Sequence, residues 1–460
     1  MPDTDRQVPL SATQERLWLL DQLSPEGSYN VALCFELAGT LDEDALRRAV
    51  LSLTRRHEAL RTRIEDTEDG LLVGRLTAPE AVEADIERTA ADGPGESLDT
   101  LLYEAALRPF DLLTGPLLRV RIVALPGDVH IVLVVLHHGA FDGLSGPLLT
   151  RELWHLYDAH ASGKAPDLPE PVGTYAAFAQ WQRAWLDTPE AADQLAHWTR
   201  RLHDPPTALV LGGPGPVPGA PAETGRAVVE FAFPPAAVRD VTAACDSLGA
   251  TPFMVLLAAF TGALAHHTGA EDLIVGTSVT DRPAEEFEAV IGPFDNTLLL
   301  RVGTDGAPTA GQFVERVRDV AVDALLHKDI PFQHVVRALA PARGGSAAPA
   351  LCNVAFSVEE KPQDPGPVHG AVVTAHPWLF VPPARFDLTL MIELSGEAMT
   401  GRFYFDPERI GEPALRAMAD EVTALPNRFA HQPDSPLFPA GGHRGPERTR
   451  SARSEEEGER

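Results

Sequence analysis

A chain of 460 residues that is 44% hydrophobic and 23% charged has ordinary globular composition and enough length for two sizeable cores. Its formal charge of -28 argues against a general nucleic-acid binder, whose footprint is a basic stripe, and favours solubility without specifying a chemistry. Cys34, Cys245 and Cys352 stand in no disulfide or metal-ligand spacing, no basic-then-apolar leader opens the chain, and no apolar run reaches bilayer length, so a reducing, cytoplasmic setting without a membrane is expected.

Ser11-Ala12-Thr13-Gln14 has the form of a capping box, and Leu17, Trp18, Leu20 and Leu23 follow at helical intervals. Tyr29 to Leu37 reads as a strand. Asp42 then caps a helix with Leu46, Ala49, Val50 and Leu53 on one face, and Arg55 and Arg56 suit the negative end of its dipole. Arg61 beyond it is expected to partner a buried carboxylate. A Pro126-Gly127-Asp128 turn leads into six consecutive apolar residues, Ile131 to Leu136, a strand buried on both faces.

Where that strand ends, the chain reads His137-His138-Gly139-Ala140-Phe141-Asp142-Gly143, and a helix follows with Leu148, Leu149, Leu153, Leu156 and Tyr157 on one face. Pro147 fits only in the first turn of that helix, and Ser145 reads as its cap. A rigid strand, a histidine-rich loop and the positive end of a helix dipole make this the candidate active site.

From 203 to 226 the composition shifts to proline, glycine and alanine, read as a linker between an N-terminal lobe, 1–202, and a C-terminal lobe, 227–431. The second lobe is expected to hold a strand at Ala227 to Phe233, helices at Val238 to Leu248 and Pro252 to His267, a short buried strand at Leu273 to Gly276, and a last helix at Glu412 to Leu425. His266-His267 reads as a helix-end feature, having no acidic neighbour at the right interval. Residues 432–460, rich in proline, glycine and scattered charge, are expected to form a disordered tail.

The spacing of His137, His138, Asp142 and Gly143 resembles the signature of the condensation domains of nonribosomal peptide synthetases, in the chloramphenicol acetyltransferase-like superfamily. Ser11, Gln14 and Arg16-Leu17-Trp18, then Arg55 to Thr62, Tyr175 to Trp181, Ile291 to Thr297 with Arg301, and His327 to Phe332 are similar to further motifs of that family in the same order. Ala177 departs from it where an aspartate is usual, Asp295 where an apolar residue is usual, and Arg343 to Ser357 matches only loosely. The resemblance implies an α/β (α+β) fold of two such lobes in a V-shaped pseudo-dimer around a central tunnel.

It also nominates His138 as the catalytic group, acting as a base or orienting the nucleophile. Asp142 is implied to form a salt bridge with Arg282 that holds the loop and joins the lobes, while His137 packs and bonds to backbone. Gly143 is expected to permit a tight turn that brings backbone amides near the reacting carbonyl. Trp18, Ser145, Asp295, Asn296, Asn353 and Ser357 are candidate tunnel residues. Asp295 is expected to face solvent at a strand start, with attraction of a cationic acceptor as the alternative.

The implied reaction joins a thioester on a donor peptidyl or acyl carrier protein to an amine or an alcohol, presented by an acceptor carrier or as a free small molecule. An amine is partly neutral near pH 7, whereas an alcohol loses its proton during attack, a task for which histidine is suited. No metal is required, and the enzyme itself holds no cofactor, since the phosphopantetheine arm arrives on the carrier. Carriers are usually acidic, so docking has to overcome long-range repulsion. With no adenylation or carrier motif after it, the chain is expected to be a free-standing condensation enzyme. The alternatives are a catalytically inactive carrier-docking module and an epimerisation domain, whose glutamate motif is not found.

Overall fold

The apolar run at 131–136 becomes the middle of a strand, and the amino-terminal half is laid around it. The computed structural model describes residues 5–23, 27–67, 69–90, 97–211, 227–340, 351–378 and 386–438. In the first half the elements are β1 (Arg6–Val8), α1 (Ala12–Leu23), β2 (Asn30–Gly39), α2 (Glu43–Arg56), β3 (Thr62–Asp66), β4 (Leu72–Leu76), β5 (Asp85–Ala90), α3 (Leu98–Leu107), β6 (Leu118–Leu125), β7 (Val129–His137), α4 (Ser145–Ala161), α5 (Tyr175–Leu186) and α6 (Pro189–Arg201). In the second they are β8 (Ala227–Ala232), α7 (Pro235–Leu248), α8 (Pro252–Thr268), β9 (Asp272–Thr280), β10 (Asp295–Gly303), α9 (Ala310–Leu326), α10 (Phe332–Leu339), β11 (Val354–Glu360), β12 (Gly366–Val368), β13 (Ala371–Ala375), β14 (Leu388–Ser395), β15 (Ala398–Phe405) and α11 (Glu412–His431).

Two six-stranded sheets form, in the orders β12-β13-β2-β7-β6-β5 and β10-β9-β11-β14-β15-β8, beside a small sheet β1-β4-β3. In the first, β7 lies between β2 and β6, antiparallel to both, and Ile131 to Leu136 are fully buried. Each such side chain contributes roughly 1.5–3 kcal/mol of burial, so this strand is a firm support for whatever its end carries. Gly127 (φ 82°) and Asp128 (φ 54°) make the turn from β6 into β7, positive angles that glycine adopts without strain.

The division of the cores does not follow the division in the sequence. Ala191 and Trp198 of α6 pack in the second core, although the expected N-terminal lobe runs to residue 202. Phe287, Val290, Ile291 and Phe294, between β9 and β10, pack in the first core together with Val373 of β13. The hairpin β12–β13 adds to the first sheet through β2, with Val373 opposite Leu37. Composition marked a linker at 203–226, but chain order carries no information on which core a returning segment joins.

Of that linker, residues 212–226 lie outside the described part, while Leu209 and Leu211 lean on the second core. Part of the expected tail is ordered. Gly311 and Ala310 N–H donate to the carbonyls of Pro433 and Ser435, and Leu437 is 1% exposed in the second core. Residues 439–460 lie outside the described part, as do 341–350 of the loosely matching stretch. Among the described residues no single helix is long and apolar enough to cross a membrane.

Candidate functional site

Strand β7 delivers the two histidines differently because its last residues are pinned on both sides. His137 pairs with Asn30 of β2 and donates its N–H to the carbonyl of Leu117, and His138 N–H donates to Tyr29 O at 2.8 Å. His138 then opens a single 3-10 turn, His138–Ala140. The His137 ring turns inward: its Nδ1 accepts from Gly139 N–H at 3.0 Å, its Nε2 lies 3.4 Å from Asp21 Oδ1, and its side chain is 1% exposed. The His138 side chain is 17% exposed, within reach of a substrate.

Asp142 is buried just ahead of α4, accepting from Ser145 N–H through Oδ1 (2.8 Å) and from Phe294 N–H through Oδ2 (3.0 Å). Arg282 Nη2 lies 3.5 Å from Asp142 Oδ1, donates to Ser145 Oγ and Val290 O, and stacks its guanidinium 4.4 Å over the Phe294 ring. Burial holds the Asp142 carboxyl above its ordinary pKa, with Asp295 adding to the rise, while Arg282 and the Ser145 bonds pull the other way. Loop, helix start and the segment before β10 are thus tied into one polar seam.

Several expectations are corrected. Ser145 is not the cap of α4. Its hydroxyl donates to Gly292 O and accepts from Gly292 N–H, and the residue is fully buried in the seam rather than lining a tunnel. Asn296 donates to Lys328 O and Ile330 O and accepts from Phe332 N–H, which spends its amide on the entry to α10. Asn353 is likewise spent, bonding both backbone groups of Leu209 and Asp387 Oδ2. Trp18 leans on the first core, and Ser357 is half-buried on β11 in register with Met391.

Gly143 has no positive φ, and a Cβ built there meets nothing within 4 Å, so no tight turn demands glycine; the loop leaves open space beside it. Arg61 donates to the carbonyls of Arg55 and Thr77, with Glu58 and Glu80 as its acidic neighbours, while the buried Glu152 is bound by Arg56 and His57. His266 and His267 do have an acidic neighbour, Glu421 of α11, 2.8 Å and 3.4 Å away, supplied by the fold rather than by sequence interval. That trio, and His197 with Asp323 and His327, bring metal-ligand atom types within 4.8 Å of one another.

Asp295 does not face solvent. It is buried where β10 begins opposite Thr280, with Oδ1 3.8 Å from His138 Nδ1 and Oδ2 3.7 Å from Arg16 Nη2. Thr13 Oγ1 donates to its carbonyl at 2.9 Å. Tyr175 completes this corner, paired with Ser11 Oγ at 2.7 Å and donating to Pro293 O. Burial, reinforced by the charges of Asp295 and Asp142, pushes the Tyr175 phenol well above its ordinary pKa. Gln14 Nε2 reaches Gly139 O, so α1 braces the histidine loop directly. Asp21 is the neighbour sequence reasoning missed; its signal was an acid four residues after Leu17 on the apolar side of α1.

With this geometry in place, comparison with known proteins decides the lineage: residues 4–438 match the Condensation domain family. The chain belongs to that family. This condensation domain is 34% identical over 427 residues to a linear gramicidin synthase of Brevibacillus parabrevis, covering 92% of this chain and 8% of that protein. It is 35% identical over 440 residues to phosphinothricin tripeptide synthetase PhsC of Streptomyces viridochromogenes, covering 92% and 40%. The chain therefore spans less than half the length of these relatives.

Among solved structures, the X-domain from teicoplanin biosynthesis superposes with a TM-score of 0.83 at 23% identity, covering 95% of this chain and 97% of that one, which speaks to the fold alone. The SgcC5 protein from Streptomyces globisporus superposes with 0.73 at 26% identity, covering 93% and 100%. The mixed sheet-and-helix fold is the chloramphenicol acetyltransferase-like fold of condensation domains.

Proposed function

We propose that this condensation domain joins a carrier-tethered acyl or aminoacyl thioester to an amine or alcohol acceptor in natural-product biosynthesis, with His138 assisting the nucleophile. The observation that carries this reading is the contrast within the pair. His138 keeps an accessible imidazole at the end of a fully buried strand, in a seam built from both halves of the chain, while His137 is spent on structure. The phosphopantetheine arm enters as part of the substrate, on a donor carrier, and the acceptor comes on a second carrier or free. The open space beside Gly143 lies on the histidine loop, where such an arm would have to pass.

A tunnel along the seam and a cytoplasmic setting belong to the same reading, the latter supported by three free cysteines. Burial pushes the Cys34 and Cys352 thiols up to about 12 and Cys245 to about 11, so none is a ready nucleophile. SgcC5 has been solved in complex with an aryl ethanediol, which supports including hydroxyl acceptors.

A second reading is a docking module without catalysis: the X-domain, which has this fold, has been solved in complex with OxyB. One experiment separates them. Purified protein is mixed with carriers bearing a panel of acyl groups and with amine and alcohol acceptors, and products are read by mass spectrometry. The expected result is product from the wild type and a loss of at least about a hundredfold in His138→Ala, the range for removing a general base. Carriers that bind both proteins equally while neither forms product would establish the docking reading instead.

A further inference from the structure

We propose that Asp295 is a positioning residue for His138, holding the imidazole with Nδ1 toward its carboxylate so that Nε2 is presented as the proton acceptor. The inference rests on the reading of His138 as the reacting group. The two ring nitrogens diverge, so with Nδ1 3.8 Å from Asp295 Oδ1 the other nitrogen points away from the carboxylate. Asp295 Oδ1 is buried and has no hydrogen bond among the described residues, a costly arrangement for a carboxylate oxygen unless a donor reaches it. Closing by about 1 Å gives a charge-assisted bond of ordinary length, and catalytic hydrogen bonds commonly tighten when substrate binds.

The position of Asp295 is set by its backbone. Strand register places it opposite Thr280, and Thr13 holds its carbonyl, so the side chain is not needed to keep the strand where it is. The charged and titratable neighbours are Arg16 of α1 at 3.7 Å from Oδ2, Asp142 of the loop, Tyr175 of α5, and Arg282 beside Asp142. The two acids divide the work: both Asp142 oxygens accept backbone N–H groups, whereas Asp295 has an oxygen left for the histidine.

With a hydroxyl acceptor the step balances as follows. The oxygen attacks the thioester carbonyl and its proton passes to Nε2. The adduct then collapses with cleavage of the carbon–sulfur bond, and the same proton goes to the departing thiolate, leaving ester, thiol and neutral imidazole. The Asp295 carboxylate balances the imidazolium that exists between the two transfers.

The test needs no substrate, so it stands apart from the acyl-transfer assay: absence of product there leaves its result unchanged. Protein with isotopically labelled histidine rings is titrated from about pH 5 to 9, the His138 signals being assigned by their loss in His138→Gln. In the wild type the Nδ1–H tautomer is expected. In Asp295→Asn the midpoint should fall by about one pH unit, a tenfold loss of proton affinity. Asp295→Leu should do the same, and Asp295→Glu should recover part of it, with the His137 signals reporting that the loop is intact in each. An Nε2–H tautomer in the wild type, or equal midpoints in wild type and folded Asp295 variants, overturns the proposal.

Discussion

His137 and His138 are adjacent and chemically identical but unequally exposed, and a backbone hydrogen bond helps to turn the first of them inward. Gly139 N–H fills the His137 Nδ1 lone pair, and a Cβ on Gly139 would come within 2.9 Å of that nitrogen, so the glycine lets the ring fold back. Gly143 is the opposite case, since a Cβ there meets nothing and its backbone is unstrained. Gly143→Ala is therefore expected to melt within about 1 °C of the wild type, as surface changes usually do. In the acyl-transfer assay it should slow turnover about tenfold or more, because the added methyl would occupy the space proposed for the arm. Unchanged turnover would place the arm elsewhere.

At the scale of elements, α2 and α4 are locked by one buried acid. Glu152 Oε2 lies 2.7 Å from His57 Nε2 and 3.1 Å from Arg56 Nε, while His57 Nδ1 accepts from Ile291 N–H. Burial alone would raise the Glu152 pKa, but its bonds to His57 and Arg56 outweigh that and leave it below the ordinary value. A depressed carboxylate adds stability that is fully present above its unfolded pKa and is lost as pH falls through the folded one. Asp142, raised by burial, has the opposite sign, its proton being held more tightly in the folded state. Glu152→Gln should cost about 1–3 kcal/mol near pH 7, since Arg56 loses its buried partner and keeps only the exposed Glu170 and the carbonyl of Pro169. Denaturant melts from pH 7 down to about 2.5 should show that cost holding to about pH 4.5 and shrinking below it, as the wild type loses its advantage. A constant difference across that range would remove Glu152 from the account.

For the whole molecule, the exchange of segments between cores predicts unfolding in one step. Val373 comes from the second half of the chain yet is fully buried in the first core, and Trp198 comes from the first half yet is buried in the second. Val373→Asp would bury an unpaired charge in the first core at a cost of about 4 kcal/mol or more. The expected result is a lowered midpoint with a single transition, seen equally by hydrogen exchange in β7 of the first sheet and β14 of the second. Two separated transitions would show that the halves are energetically independent.

Local pattern alone determined the elements and the motif loop. Six apolar residues in a row at 131–136, the reciprocal bonds of Ser11 and Gln14, and the spacing from His137 to Gly143 are short-range facts that no tertiary contact has to supply. Only the folded chain decided the partners, because a buried polar group takes whichever donor or acceptor the packing brings nearest, at any sequence separation. Asp295 reaches His138 across 157 positions, Asn296 and Asn353 are consumed by backbone groups, and β12–β13 returns to the sheet that β2 began. Sequence interval holds no record of such encounters, which is why an acid read as a solvent-facing strand start lies buried beside the His138 imidazole.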